Sequence, residues 1–260
     1  MTHREQREYL IRSISGDMPN MKGLQVPEDE EQQKLVLRAL MNIRMPMPVP
    51  DEVLAVQDEY LQEETRLKGI TDTADLEPVH PGSSLYLWKG DITALKCGAI
   101  VNAANSGMLG CFQPLHGCID NCIHTYAGMQ LRLECARIMK GQGTEEPVGR
   151  AKITGAYNLP CDYVIHTVGP MVHGALTGKE RKELASCYRS CLDTAAENGV
   201  GSIAFCCIST GVFAFPPKEA ARIAVHTVQE HLKSESMDMK VVFNVFSQRD
   251  YAIYEDLLKD

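Results

Sequence analysis

From Leu85 onward, short apolar runs alternate with longer amphipathic stripes, and this alternation narrows the fold more than any other feature of the chain. The runs at residues 85–88, 99–103, 152–157, 163–167, 202–208 and 241–246 predict strands. The stripes at 120–139, 179–198, 218–233 and 250–258 predict helices. Parallel neighbours in a sheet need a crossover, and a helix between strands supplies it. The expected class is therefore α/β, a three-layer sandwich with a mixed, mainly parallel sheet and helices on both faces. Such sheets bind ligands in the crevice at the carboxyl ends of their strands, so loops that follow strands rank first as sites.

Residues 1–75 follow a different pattern. Helical stripes run over 8–14 (Tyr9, Leu10, Ile11, Ile14), 30–43 (Leu35, Leu37, Leu40, Met41) and 50–67 (Leu54, Tyr60, Leu61, Leu67), with a Met-Pro run separating the last two. Three short helices with so few large apolar residues make a weak core alone, which predicts a helical N-terminal extension docked on a body of residues 76–260. Charge divides the chain at the same place. Residues 1–80 hold nine Lys/Arg against sixteen Asp/Glu, a net of -7 out of the whole chain's -8. This acidic balance lacks the basic footprint that duplex nucleic acid requires. Two readings of the extension stand: a docking surface for a protein substrate, or a cover for an apolar face.

All ten cysteines lie between Cys97 and Cys207, away from disulfide-framework spacings. No apolar run reaches membrane-spanning length and no secretory core opens the chain, so the expected address is a reducing cytoplasm. There, clustered cysteines point to metal more than to disulfides. The cluster Cys111, His116 and Cys118, a C-x4-H-x-C spacing, offers three of zinc's four tetrahedral positions and leaves one open, the arrangement of catalytic zinc. Pro114 and Gly117 let the loop turn sharply enough for the three to meet. The plain alternative is buried cysteines with a capping histidine. Cys122 competes as a ligand, although on the first turns of a following helix it suits packing better. His124 and His166 read as hydrogen-bonded structural residues, and Cys206 and Cys207 as core.

Three loops after strands stand out: Gly90-Asp91-Ile92-Thr93, Asn102-Ala103-Ala104-Asn105, and Ser209-Thr210-Gly211-Val212-Phe213. Alone, the first is a turn with an N-capping Asp and the third a small-residue loop. Together with I-D-x-x-I-H at 119–124 and H-T-V-G-P at 166–170, in this order, they resemble the macrodomain family, an ADP-ribose-binding fold. The resemblance covers residues 85–260. It implies that Asp91 accepts the adenine amino group, with the backbone of Ile92 beside it, and that Asn105 holds the distal ribose. It further implies that Asp120 is the aspartate of the catalytic loop, with Cys118 and Ile119 also against the ligand. Ser209, Thr210, Gly211, Val212 and Phe213 would wrap the diphosphate, Phe213 closing over the ribose. Phe246 either stacks on adenine or is a core or rim aromatic.

Hydrolytic macrodomains typically run from the asparagine to the aspartate through several glycines, whereas here residues 111–118 replace that run. This resembles a zinc-dependent microbial branch in which the C-x4-H-x-C residues hold one zinc ion. The same resemblance implies a substrate, mono-ADP-ribosylated protein, and an association with a lipoate-carrier protein modified by a sirtuin-like transferase. The expected activity is removal of ADP-ribose from protein side chains, with ester-linked Asp or Glu favoured. Two alternatives remain: a non-catalytic ADP-ribose reader, and a deacetylase of O-acetyl-ADP-ribose.

Overall fold

The computed structural model describes residues 1–235 and 238–259. Three helices open the chain: α1 (His3–Asp17), α2 (Glu30–Ile43) and α3 (Asp51–Lys68). A short strand, β1 (Thr71–Asp72), pairs in parallel with β3 (Leu95–Lys96) and ties the end of this helical segment to the body. The main sheet contains β2 (Leu85–Lys89), β4 (Ala99–Ala104), β5 (Ala151–Gly155), β6 (Tyr163–Val168), β7 (Ser202–Phe205) and β8 (Lys240–Val245). Its order is β2-β8-β7-β4-β6-β5, parallel throughout except that β5 runs antiparallel to β6. The body's helices are α4 (Ile119–Ala127), α5 (Met129–Gln142), α6 (Gly178–Glu197), α7 (Pro217–Ser234) and α8 (Gln248–Leu257).

Alternation along β6 sorts these helices into layers. His166 meets Cys135 of α5, whereas its neighbour Thr167 meets Cys187 of α6. Successive strand side chains point to opposite faces, so α4 and α5 cover one face while α6, α7 and α8, packed consecutively, cover the other. Ile100, Val101, Ile165, Ile203, Val241 and Val242 are fully buried between them. A sheet covered on both faces reads as continuous apolar runs, which is how these strands appear in the sequence.

Several boundaries differ from expectation. The first helix begins at His3, because Thr2 and Glu5 form a reciprocal capping box ahead of the apolar stripe. The helix predicted over 120–139 is two helices, broken where Gly128 adopts φ 96°. A Cβ at Gly128 would lie 2.5 Å from Gln57 Nε2, so the break also lets α3 approach. The strand predicted over 202–208 ends at Phe205, leaving Cys207 only partly buried, and that over 152–157 ends at Gly155. Leu35 and Leu67 are exposed rather than part of the buried stripes. Leu35 is two residues from Leu37, about 200° around the helix, while Leu67 falls in the last turn of α3.

The three N-terminal helices share an apolar cluster that includes Leu10, Ile14, Leu37, Leu40, Tyr60 and Leu61, with Met129 of α5 packed into it. Polar contacts complete the docking. Arg132 of α5 donates to the carbonyls of Met41 (2.8 Å) and Arg44 (2.6 Å), the end of α2 where backbone acceptors lack helical partners. Gln57 Oε1 accepts the Met129 amide at 2.8 Å, and Asn158 donates to Asp58 at 2.7 Å. Among the described residues no helix is long and apolar enough to cross a membrane.

Candidate active site

The strand order places the loops that follow β2, β8, β7 and β4 side by side along one edge of the sheet. These loops carry Asp91, Phe246, residues 209–213 and Asn105, so the topology brings the predicted residues to one end of the sheet. Phe246 is 83% exposed, which excludes a core role and leaves adenine stacking or a rim position.

Asp91 caps the short turn Ile92–Ala94. One carboxylate oxygen accepts the Thr93 amide and hydroxyl, at 3.0 and 2.6 Å, and the other accepts Lys68 Nζ at 2.9 Å. Burial pushes this carboxyl up, but Thr93 and Lys68 outweigh it and hold Asp91 below its ordinary value. It is therefore an ionised acceptor at neutral pH. Asn244 of β8 donates to Gly90 O at 3.0 Å and fixes the turn to the sheet.

In the 209–213 loop, Ser209 adopts φ 65° and accepts the Phe215 amide at 3.0 Å, curling the chain back on itself. Among the described residues, the amides of Gly211, Val212 and Phe213 have no protein acceptor. Consecutive free amides in a curled loop form an anion cradle. Gly169, from the H-T-V-G-P motif, makes room for it: a Cβ there would lie 2.1 Å from Ser209 Oγ.

Asp120, the second residue of α4, is 5% exposed. Asn102 donates to its Oδ1 at 2.8 Å and Asn105 to its Oδ2 at 3.2 Å. Burial raises its carboxyl to about 6, against the opposing pull of Asn102, Arg132 and Asn105. Asn105 is itself held, its Oδ1 accepting the Gly107 amide and its Nδ2 donating to Gly110 O.

Cys111, His116 and Cys118 converge, their donor atoms all within 4.8 Å of one another. Cys111 Sγ lies 3.6 Å from His116 Nδ1. Tetrahedral zinc with bonds of about 2.3 Å to sulfur and 2.0–2.1 Å to nitrogen requires a separation of about 3.6 Å, so the donors fit that ion. Burial pushes the Cys118 thiol up to about 12, and Cys111 beside it pushes the same way against the Asn121 amide. A cation between the donors would oppose that push and favour the Cys118 thiolate. Cys122 stands outside the triad and meets Arg38 instead.

A second group, His124, Cys135 and His166, is fully enclosed beside Asp120. Hydrogen bonding decides against a metal there. Asn102 Nδ2 donates to Asp120 and also to His166 Nδ1 at 3.1 Å, so the ring proton resides on Nε2, directed at Thr154 Oγ1 at 2.9 Å. No lone pair of His166 is left for an ion. His124 departs from expectation: both ring nitrogens are buried without a hydrogen-bond partner, Asp120 Oδ1 being 3.6 Å away, and burial keeps the ring neutral.

Sequence reasoning missed Arg38, Asn42 and Lys68, all on the N-terminal helices, and Asn121. Asn102 opens a motif already singled out, and Asn121 adjoins Asp120, so adjacency was their only signal. Arg38 and Asn42 sit four apart on an amphipathic helix, next to its apolar face, which is the one local sign that they are buried against something polar.

The doubly covered mixed sheet, with its candidate residues on strand-end loops, defines an α/β fold of the ligand-binding type, and the Macro domain family model matches residues 101–224. The chain belongs to the macrodomain family. It is 57% identical over 260 residues to a Protein-ADP-ribose hydrolase of Treponema medium, covering 99% of this chain and 100% of that protein. A protein of the same name from Staphylococcus aureus is 50% identical over 96% of this chain and 93% of its own length. Among solved structures, a Trypanosoma brucei macrodomain in complex with ADP-ribose superposes with a TM-score of 0.65 at 29% identity, covering 89% of this chain and 97% of that one. A mutant Oceanobacillus iheyensis macrodomain with ADPR matches with a TM-score of 0.62 at 38% identity, covering 67% of this chain and 91% of that one.

Proposed function

We propose that the chain is a zinc-dependent ADP-ribosylhydrolase that releases mono-ADP-ribose from modified protein side chains, with an ester to Asp or Glu as the bond cleaved. The observation that carries this reading is the meeting of a three-donor metal loop with a buried carboxylate gripped by two amides, Asp120 between Asn102 and Asn105. The names of the relatives, at 57% and 50% identity over nearly the full chain, support the same reaction class.

In this reading Asp91 accepts the adenine amino group, and the free amides of Gly211, Val212 and Phe213 bind the diphosphate. Ile92, Cys118, Ile119, Ser209 and Thr210 complete the ligand wall. Asn105 fixes the distal ribose against Asp120. Cys111, His116 and Cys118 would hold a zinc ion, which would supply Lewis acidity beside the ribose. Asp120 then takes a proton from water as the water oxygen bonds to the ribose carbon and the ester C–O bond breaks. The side-chain carboxylate leaves as an anion and needs no proton. A carboxyl raised to about 6 is a better proton acceptor than an ordinary aspartate and remains mostly ionised at neutral pH. Within this reading the modified partner is a lipoate-carrier protein, an identification that rests on the sequence resemblance alone.

Incubating mono-ADP-ribosylated protein with wild type, Asp120→Ala and Cys118→Ala tests the assignment. Wild type should release ADP-ribose; Asp120→Ala should lose about a hundredfold or more with its general base, and Cys118→Ala should lose activity with a metal ligand. Undiminished release by either variant would overturn the role of that residue. Binding of ADP-ribose without release by wild type would favour the reader, and turnover of O-acetyl-ADP-ribose alone the deacetylase.

A further inference from the structure

The candidate metal ligands and Asp120 all lie in the macrodomain body, yet α2 of the N-terminal extension reaches into the loop that carries the ligands. Arg38 and Asn42 lie four residues apart on α2 and so share a face. Arg38 Nη2 donates to the His116 carbonyl at 2.9 Å and to Asn121 Oδ1 at 3.1 Å, with Cys122 Sγ at 3.7 Å. Asn42, 1% exposed, accepts the Leu115 amide at 3.0 Å and donates to Thr125 Oγ1 at 2.8 Å. We propose that α2 is part of the metal site, with Arg38 and Asn42 as positioning residues that hold residues 111–118 in their ligating shape.

The contacts account for the loop almost residue by residue. Asn121, whose Oδ1 is fixed by Arg38, donates its amide hydrogens to the carbonyls of Cys111 (3.2 Å) and Gln113 (3.0 Å), and its backbone N–H points to Cys118 Sγ at 3.4 Å. Cys111, Gln113 and Cys118 are thus tied through Asn121, Leu115 through Asn42, and His116 through Arg38 directly. Leu115 needs the help. Its φ of 58° is a left-handed conformation that a non-glycine residue holds only when neighbours impose it, and it immediately precedes the ligand His116.

Charge is consistent with this role. Among the described residues no carboxylate pairs with Arg38, so its guanidinium serves carbonyl, amide and thiol acceptors. Two thiolates balance a divalent cation, and the loaded site presents no net positive charge to repel it. Groups that orient metal ligands from outside the coordination sphere typically change metal affinity by about 10- to 100-fold when removed.

The proposal rests on the reading of Cys111, His116 and Cys118 as a zinc site, and the test separates the two. Zinc affinity of the full chain is measured by competition with a chromophoric chelator for wild type, Arg38→Met and Arg38→Lys. Wild type that takes up no stoichiometric zinc defeats the site reading itself. If wild type binds zinc, Arg38→Met should bind it roughly 10- to 100-fold more weakly. Chelation should lower the thermal unfolding midpoint of wild type by more than that of Arg38→Met, a difference that a merely structural arginine would not give. Arg38→Lys preserves charge and stem and keeps the test readable if the methionine variant does not fold. All three acceptors are met by Nη2, and the lysine side chain ends one bond short of that atom, so this variant too should bind zinc more weakly. Zinc affinity within twofold of wild type in either folded variant overturns the proposal.

Discussion

At Asp120 the grip of two amides continues inward. Asn102, which holds Oδ1, also donates to His166, and His166 donates to Thr154, so a chain of hydrogen bonds runs from the carboxylate into the core. That chain requires a neutral imidazole, because a proton on Nδ1 would face the Asn102 amide hydrogens. Burial enforces this by lowering the His166 ring to about 4. The unfolded chain takes up its proton near 6.5, so between pH 6.5 and 4 the unfolded state binds more protons and stability falls with pH. The contribution is fully present above pH 6.5 and lost as pH falls through about 4, an order of roughly 3 kcal/mol for a shift of this size. Urea unfolding measured across that range should show His166→Asn losing much of the wild-type acid slope. An unchanged slope would place the titration elsewhere. Neither this chain nor its members' protonation was legible in the sequence, since Asn102, Thr154 and His166 meet only through strand register.

Elements differ in how far they could be read. The Asp91 turn was legible because its geometry is local: the carboxylate caps its own Thr93. Its second partner was not, since Lys68 lies on α3, where the sequence offers only a basic residue in a last helical turn. The stripes of α1, α2 and α3 announced helices through their period, but the polar residues that α2 and α3 aim at the body carry no local signature. Lys68 donates to Asp91 at 2.9 Å and Thr93 at 3.1 Å, and stands 3.3 Å from the centre of the Tyr126 ring. It therefore fixes the carboxylate oxygen not used by Thr93. Lys68→Met should leave Asp91 misaimed and burial free to raise its carboxyl. The pair is partly exposed, so the loss is modest, about fivefold in ADP-ribose affinity or roughly 1 kcal/mol. Calorimetric titration with ADP-ribose and its inosine counterpart locates the effect. If Asp91 accepts the adenine amino group, as proposed, discrimination between them should shrink, because the inosine counterpart lacks that donor; unchanged discrimination would remove Lys68 from adenine reading.

For the whole molecule, the body's alternating runs made a mainly parallel, doubly covered sheet legible, whereas the relation of extension to body was not. Composition can show that residues 1–75 are acidic and weakly apolar, but not where their helices dock. The structure has them meet the body at separate points: Met129 packs into the extension's cluster, Arg132 closes the carbonyls at the end of α2, Asn158 and Gln57 join α3 to the body, and Arg38 grips the loop at His116. Each contact binds a group that neither part satisfies alone. Arg132 is the clearest case, since burial lowers it to about 10 while Leu109 on the body side and Met41 and Arg44 on the extension take its hydrogens. Separating the parts costs those charge-assisted bonds, about 1.5–3 kcal/mol each, together with the apolar contact. The extension's small cluster cannot stand against a loss of that size when whole domains are stable by only about 5–15 kcal/mol. Extension and body should therefore unfold together: calorimetry of the zinc-loaded chain should give one transition, with calorimetric and van't Hoff enthalpies equal. Two resolved transitions, or a low-temperature step that removes helix while the sheet persists, would show the extension to be an independent unit and would remove the physical basis for its hold on the metal loop.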